Sequence, residues 1–129
     1  MGRPLALVVD DHFDSAFIFS EALQRAGFDT EIAYSGEAAL ARLAASTPDL
    51  VVLDMCLPRV AGMDILRRIR DDARLARTRV IIATADTEVA DTLDYCAADV
   101  VLVKPIGFSQ LRQVAARLFP ALQDVPCSC

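Results

Sequence analysis

No stretch of this chain approaches the ~18 consecutive apolar residues of a membrane span. Nor does it open like a secretory leader. Met1-Gly2-Arg3-Pro4 carries one basic residue, and the apolar segment that follows ends at Asp10, which reads as a strand. Gly2 follows Met1, but Ala6 stands where an N-myristoylation signal needs a hydroxyl residue. The four cysteines (Cys56, Cys96, Cys127 and Cys129) have neither a disulfide-framework nor a zinc-site spacing. Acidic residues outnumber basic ones, 18 to 13. The net charge is -5, which argues against nonspecific nucleic-acid binding by this chain alone. Internal repeats, low-complexity segments and linkers are absent. These features lead to the expectation of a soluble cytoplasmic protein with reduced thiols and no membrane contact.

What is there is apolar and evenly segmented. The 129 residues are 54% hydrophobic, which suits one domain with a real core. The centre is Pro48-Asp49-Leu50-Val51-Val52-Leu53-Asp54-Met55-Cys56-Leu57-Pro58, an apolar, β-branched run that reads as a strand buried on both faces. Four further strands are expected: Leu5 to Val9, Thr30 to Ala33, Val80 to Ala83 and Val100 to Val103. Helices should alternate with them. The first runs from about Phe13 to Ala26, with Phe13, Ala16, Leu23 and Ala26 on one face, Phe17 beside them, and Gly27 as its stop. The second is capped by Ser35 and runs to about Ala45, with Leu40 and Leu43 inward. The third follows Gly62, with Met63, Leu66 and Ile69 or Ile65 toward the core. A short fourth begins near Thr87 and carries Val89, Ala90 and Leu93. The last places Phe108, Leu111, Ala115 and Leu118 in register and stops at Pro120. Strand-helix repeated five times implies an α/β fold, a parallel sheet covered on both faces.

In such sheets ligands bind outside the carboxyl ends of the strands. That rule selects Asp10 and Asp11 after the first strand, Asp54 at the end of the third, Thr84 after the fourth and Lys104 after the fifth. An ionised Asp54 is costly to bury unless a cation or reacting group reaches it. Three crowded carboxylates repel, so the cluster needs a cation or raised pKa values. Oxygen-only ligands with room for water favour Mg²⁺. A carboxylate beside a metal, a hydroxyl and a lysine is suited to attack phosphorus and form an aspartyl phosphate.

The segments Val8-Val9-Asp10-Asp11, Leu53-Asp54-Met55-Cys56-Leu57-Pro58 with Gly62 following, Thr84-Ala85 and Val103-Lys104-Pro105 resemble the receiver domains of two-component response regulators. The resemblance covers essentially the whole chain. It implies a flavodoxin-like, doubly wound (βα)5 sheet in the order 2-1-3-4-5 and a cis Lys104–Pro105 bond. It also implies a receiver domain over residues 1–122 with a C-terminal tail over 123–129. By the same resemblance Asp54 is the phospho-acceptor. Asp11 and Asp54 ligate Mg²⁺ directly, Asp10 acts through water, and the Cys56 carbonyl is a further ligand. Thr84 and Lys104 each hold a phosphoryl oxygen. The donor is the phosphohistidine of a sensor kinase or phosphotransferase, and the output is an unknown downstream protein. The chain would be a phospho-acceptor that catalyses only its own phosphotransfer and dephosphorylation, and not an enzyme on external substrates. A homodimer through the last two helices is implied by resemblance only.

The chain departs from the family pattern at several positions. Val101 stands where the family usually has Tyr or Phe, so no ring is there to rotate as Thr84 moves toward a phosphate. Ala97-Ala98 replaces the common Gly-Ala. Cys56 flanks the acceptor as a small side chain. Asp86 reads as a helix cap, His12 as a solvated or packed residue, and Cys127-Ser128-Cys129 as a frayed end. Ile18 and Ala22, with Phe19 beside them, lie off the expected core stripe of the first helix, where similar proteins receive the phosphodonor. Two other functions compete. A dehalogenase-like phosphatase needs Asp-x-Asp after the first strand; here that spacing gives Asp10 and His12. A degenerate receiver would bind partners without phosphorylation.

Overall fold

In the computed structural model, which describes residues 2–85 and 98–120, the strands are β1 (Leu5–Val9), β2 (Asp29–Ala33), β3 (Leu50–Asp54), β4 (Arg79–Thr84) and β5 (Val100–Val103). The strands β1, β3 and β5 form on apolar runs and end where a charged residue is reached, at Asp10, Asp54 and Lys104. All five form one parallel sheet in the order β2-β1-β3-β4-β5. The expected flavodoxin-like order is thus observed, and β3 is central. All five β3 residues are buried, as a strand covered on both faces requires.

Strand alternation divides the core in two. Leu7, Val9, Val51, Leu53, Val80 and Ile82 face one side. There they meet Ala39 and Leu43 of helix α2 (Gly36–Ala45), Ile65, Leu66 and Ile69 of helix α3 (Gly62–Asp71), and Leu75. Ala6, Val8, Leu50, Val52, Ile81 and Ala83 face the other. They meet Ala16, Phe19, Ala22 and Leu23 of helix α1 (Phe13–Ala26), and Leu111 and Ala115 of helix α4 (Phe108–Leu118). The Ser35 hydroxyl accepts the Ala38 N–H and so caps α2 as expected. Gly27 adopts φ 111 and closes α1 with its N–H on the Gln24 carbonyl, followed by Phe28 N–H on that of Leu23.

The inward face of α1 differs from the expected one. Phe13 is 71% and Phe17 63% exposed, whereas Phe19 and Ala22 are buried. At about 100° per residue, Phe13 and Phe17 lie about 60° and 100° to one side of Ala16, and Phe19 lies about 60° to the other. The sheet takes the second side, and Phe13 instead packs edge-on against Tyr34, with centroids 4.6 Å apart. Of the two residues placed off the core stripe, only Ile18 is exposed; Ala22 completes the core. A 3₁₀ turn at Ala73–Leu75 was not expected, and it buries Leu75. The helix expected from Thr87, with Val89, Ala90 and Leu93, lies outside the described residues, as do Asp86, Cys96, Ala97, Cys127, Cys129 and the 122/123 boundary. No helix among the described residues is long and apolar enough to cross a membrane.

Candidate functional site

Parallel register brings the strand ends to one level. Val9 pairs with Leu53, Asp54 with Ala83, and Thr84 with Val103. The ladder runs one residue further, because Asp10 N–H donates to the Ala33 carbonyl, Met55 N–H to Ala83, and Lys104 N–H to Thr84. Asp10, Asp54, Thr84 and Lys104 are therefore all set by sheet hydrogen bonds. Asp10 and Thr84 are buried, and Asp54 is 2% exposed.

The two buried carboxylates are held in the same way. Asp10 Oδ1 accepts the His12 N–H at 2.9 Å, and Asp54 Oδ1 accepts the Cys56 N–H at 3.0 Å. Each is a side-chain bond to the backbone two residues on, a turn that aspartate favours. The second oxygens are left over. Asp10 Oδ2, Asp54 Oδ2 and Asp11 Oδ1 are buried atoms that accept no hydrogen bond. Lys104, the chain's only lysine, places Nζ 3.3 Å from Asp54 Oδ2 and 3.9 Å from Asp10 Oδ2. Burial holds the Asp10 carboxyl above its ordinary value. The His12 N–H and the Lys104 charge oppose this, and the neighbouring Asp54 charge adds to it. The Lys104–Pro105 bond is cis.

Buried carboxylate oxygens that accept no hydrogen bond are costly, and Lys104 is one positive charge beside three carboxylates, so the cluster calls for a further cation. One ligand atom from each of Asp10, Asp11, Asp54 and His12 lies within 4.8 Å of the others. The three carboxylates of this set are oxygen donors that fit Mg²⁺, so their chemistry agrees with the ion implied by the sequence. The Cys56 side chain is exposed, and the backbone N–H of that residue aims Asp54. Val101 is half-buried and packs on the α2–α3 side of the core.

Two supporting features were only partly legible in the sequence. His12 was expected to be solvated or merely packed. Its ring is exposed, but Nδ1 lies 3.1 Å from Asp11 Oδ1 and 3.4 Å from Asp10 Oδ1. Gly62 brings the start of α3 against the end of β3. A Cβ there would stand 2.8 Å from Met55 Cα and 3.3 Å from the Asp54 carbonyl oxygen. Only its place after the Asp54 strand hinted at this. A wider cleft at the opposite edge of the sheet is lined by Arg70, Arg77, Arg79 and Asp99. It is not the site: Asp99 is taken up by Arg70, Arg79 and the Val80 N–H.

Known proteins agree with this architecture. The response regulator receiver domain family matches residues 6–116. The response regulator ArlR of Staphylococcus saprophyticus is 34% identical over 108 residues, 81% of this chain and 47% of that protein. The transcriptional regulatory protein TrcR of Mycobacterium tuberculosis is 34% identical, over 85% of this chain and 43% of its own length. The chain thus spans about half the length of these relatives. The signal receiver domain of a LuxO repressor protein from Vibrio parahaemolyticus superposes with a TM-score of 0.82 at 29% identity, covering 94% of this chain and 93% of that one. The response regulator TrrA from Thermotoga maritima, solved in complex with Mg(2+)-BeF, gives 0.79 at 30% identity, covering 89% and 98%. Five parallel strands in the order 2-1-3-4-5, an acidic cluster at their carboxyl ends and a match over residues 6–116 lead to one assignment: this chain belongs to the response regulator receiver domain family of two-component systems.

Proposed function

We propose that Asp54 accepts a phosphoryl group from the phosphohistidine of a sensor histidine kinase or histidine phosphotransferase, and that this switches binding to a downstream protein. The observation that carries the reading is Asp54 Oδ2, a buried oxygen without a hydrogen bond, 3.3 Å from the chain's only lysine at the end of the central strand. That oxygen attacks phosphorus, the P–N bond breaks, and the imidazole leaves. Lys104 pairs with one phosphoryl oxygen and the Thr84 hydroxyl donates to another. Asp11, Asp54 and the Cys56 carbonyl would hold Mg²⁺, with Asp10 acting through water. The ion supplies neutralisation of the charge that develops on the phosphoryl oxygens. Water later attacks the aspartyl phosphate and restores Asp54. No external substrate is turned over.

Phosphodonor docking falls to the groove beside Lys104, lined by Ser15, Ile18, Phe19, Pro105 and Ile106. Ile18, 43% exposed, is its apolar anchor; Ala22 is buried and takes no part. With a net charge of -5, this chain lacks the basic surplus that nonspecific nucleic-acid binding requires.

Intact mass after incubation with Mg²⁺ and acetyl phosphate tests the reading. Wild type gains one phosphoryl group; Asp54→Asn gains none, and chelator abolishes the gain. Failure with this donor and with a phosphohistidine protein, together with partner binding unchanged in Asp54→Asn, would replace the reading with a phosphorylation-independent binding module.

A further inference from the structure

From the position of His12 we infer that the cation site carries an imidazole ligand, so that it takes Mn²⁺ in preference to Mg²⁺ by more than carboxylates alone would give. The inference rests on the cation-dependent reading above and concerns which ion that site selects. His12 is the residue at the start of α1, yet its side chain makes no capping bond there. Its N–H is committed to Asp10 Oδ1, which fixes the residue at the rim of the acidic cluster. From there the ring turns Nδ1 toward both carboxylates of the pair, 3.1 Å from Asp11 Oδ1 and 3.4 Å from Asp10 Oδ1.

These separations have a meaning in coordination geometry. Ligand atoms about 2.1 Å from an octahedral cation lie about 3.0 Å apart at adjacent vertices and about 4.2 Å apart across it. The approach of Nδ1 to Asp11 Oδ1 matches an adjacent edge. The whole set of Asp10, Asp11, His12 and Asp54 fits within 4.8 Å, so a small inward closure completes it. Asp10 Oδ2 and Asp54 Oδ2 are buried and accept no hydrogen bond, and the single Lys104 charge, 3.9 and 3.3 Å away, leaves the cluster of three carboxylates short of positive charge. Asp11 Oδ1 also accepts no hydrogen bond although Nδ1 is 3.1 Å away, so the pair is close without being aligned as donor and acceptor. A nitrogen donor favours first-row transition ions, which accept imidazole, over Mg²⁺, which holds to oxygen and water.

The rival is a plain ion pair, with a protonated His12 donating to Asp11. It makes the opposite forecast, because a positive ring competes with any cation. The two are separated by Mn²⁺ binding to the full chain, followed by loss of the free-ion EPR signal, with Mg²⁺ as competitor and His12→Gln as variant. Mn²⁺ suits the test because the chain's thiols are poor ligands for it. Our inference expects the Mn²⁺-over-Mg²⁺ preference to fall by about tenfold or more in His12→Gln, with Mg²⁺ affinity little changed. It also expects the nitrogen modulation of a bound imidazole in the pulsed EPR of wild type and its absence in the variant. Mn²⁺ bound without that modulation, or a variant that binds both ions more tightly, would overturn the role of His12 and leave the cation site standing. No competition between Mn²⁺ and Mg²⁺ at all would overturn the cation reading itself.

Discussion

The ion pair between Lys104 and Asp54 should respond very differently to loss of its two ends. Lys104 Nζ lies 3.3 Å from Asp54 and 3.9 Å from Asp10. At an effective dielectric of about 20 these attractions are about 5 and 4 kcal/mol before desolvation. Lys104→Met removes both and leaves two buried carboxylates facing each other. Breaking a buried pair from one side costs about 3–5 kcal/mol. Lys104 is 23% exposed, and one carboxyl can take up a proton, so we expect a loss of about 2–4 kcal/mol in chelator. Asp54→Asn also breaks the pair. It removes one of the crowded charges, however, and its amide oxygen can still accept the Cys56 N–H, so we expect a change within about 1 kcal/mol. The assay is urea unfolding. With a slope of about 2 kcal/mol per molar, Lys104→Met lowers the midpoint by about 1–2 M, whereas Asp54→Asn barely moves it. Saturating Mg²⁺ should narrow the Lys104→Met deficit, because the ion no longer competes with the ammonium; a variant that binds it tenfold more tightly than wild type regains about 1.4 kcal/mol of the difference. Equal losses in the two variants, or a Lys104→Met protein as stable as wild type without metal, would refute the electrostatic reasoning.

Three more outcomes follow from the same geometry. Gly62→Ala drives a methyl against Met55 Cα and the Asp54 carbonyl, so it should destabilise by about 1–3 kcal/mol in thermal melts and slow phosphorylation by acetyl phosphate; unchanged melting would count against the close packing of α3 on β3. Asp10 is raised in the fold from its ordinary 3.8, so the folded chain holds its proton to higher pH than the unfolded chain. In chelator its contribution is therefore fully present below 3.8 and is lost as pH rises through the raised value. The difference in urea stability between wild type and Asp10→Asn should accordingly move against wild type over that window and then level off; a flat difference would contradict the shift. Ser35→Ala deletes the cap on the Ala38 N–H and should cost about 1 kcal/mol in urea unfolding, without affecting Mg²⁺ binding.

What could be read directly from the residues was whatever local chemistry dictates. Leu50 to Leu53 is apolar without interruption, so β3 had to be a doubly buried strand, and Asp54 had to lie at its mouth. Ser35 and Gly27 mark helix ends because a hydroxyl cap and a left-handed turn are local events. Asp10, Thr84 and Lys104 were found for the same reason: each is the first polar residue after an apolar run, and parallel strands deliver such residues to one edge. Other facts depend on long-range packing. Which side of α1 meets the sheet was decided by docking and not by apolar spacing: the spacing put Phe13 and Phe17 on the core face and Phe19 off it, and the sheet took Phe19. The strand order came from family resemblance, because parallel connections of similar length permit several orders. The turn of His12 Nδ1 toward Asp11, and the leftover oxygens of Asp10 and Asp54, arise only when separate strand ends are brought within a few ångströms. Their meaning lies in distances between side chains, and a linear pattern of polar and apolar residues carries no distances.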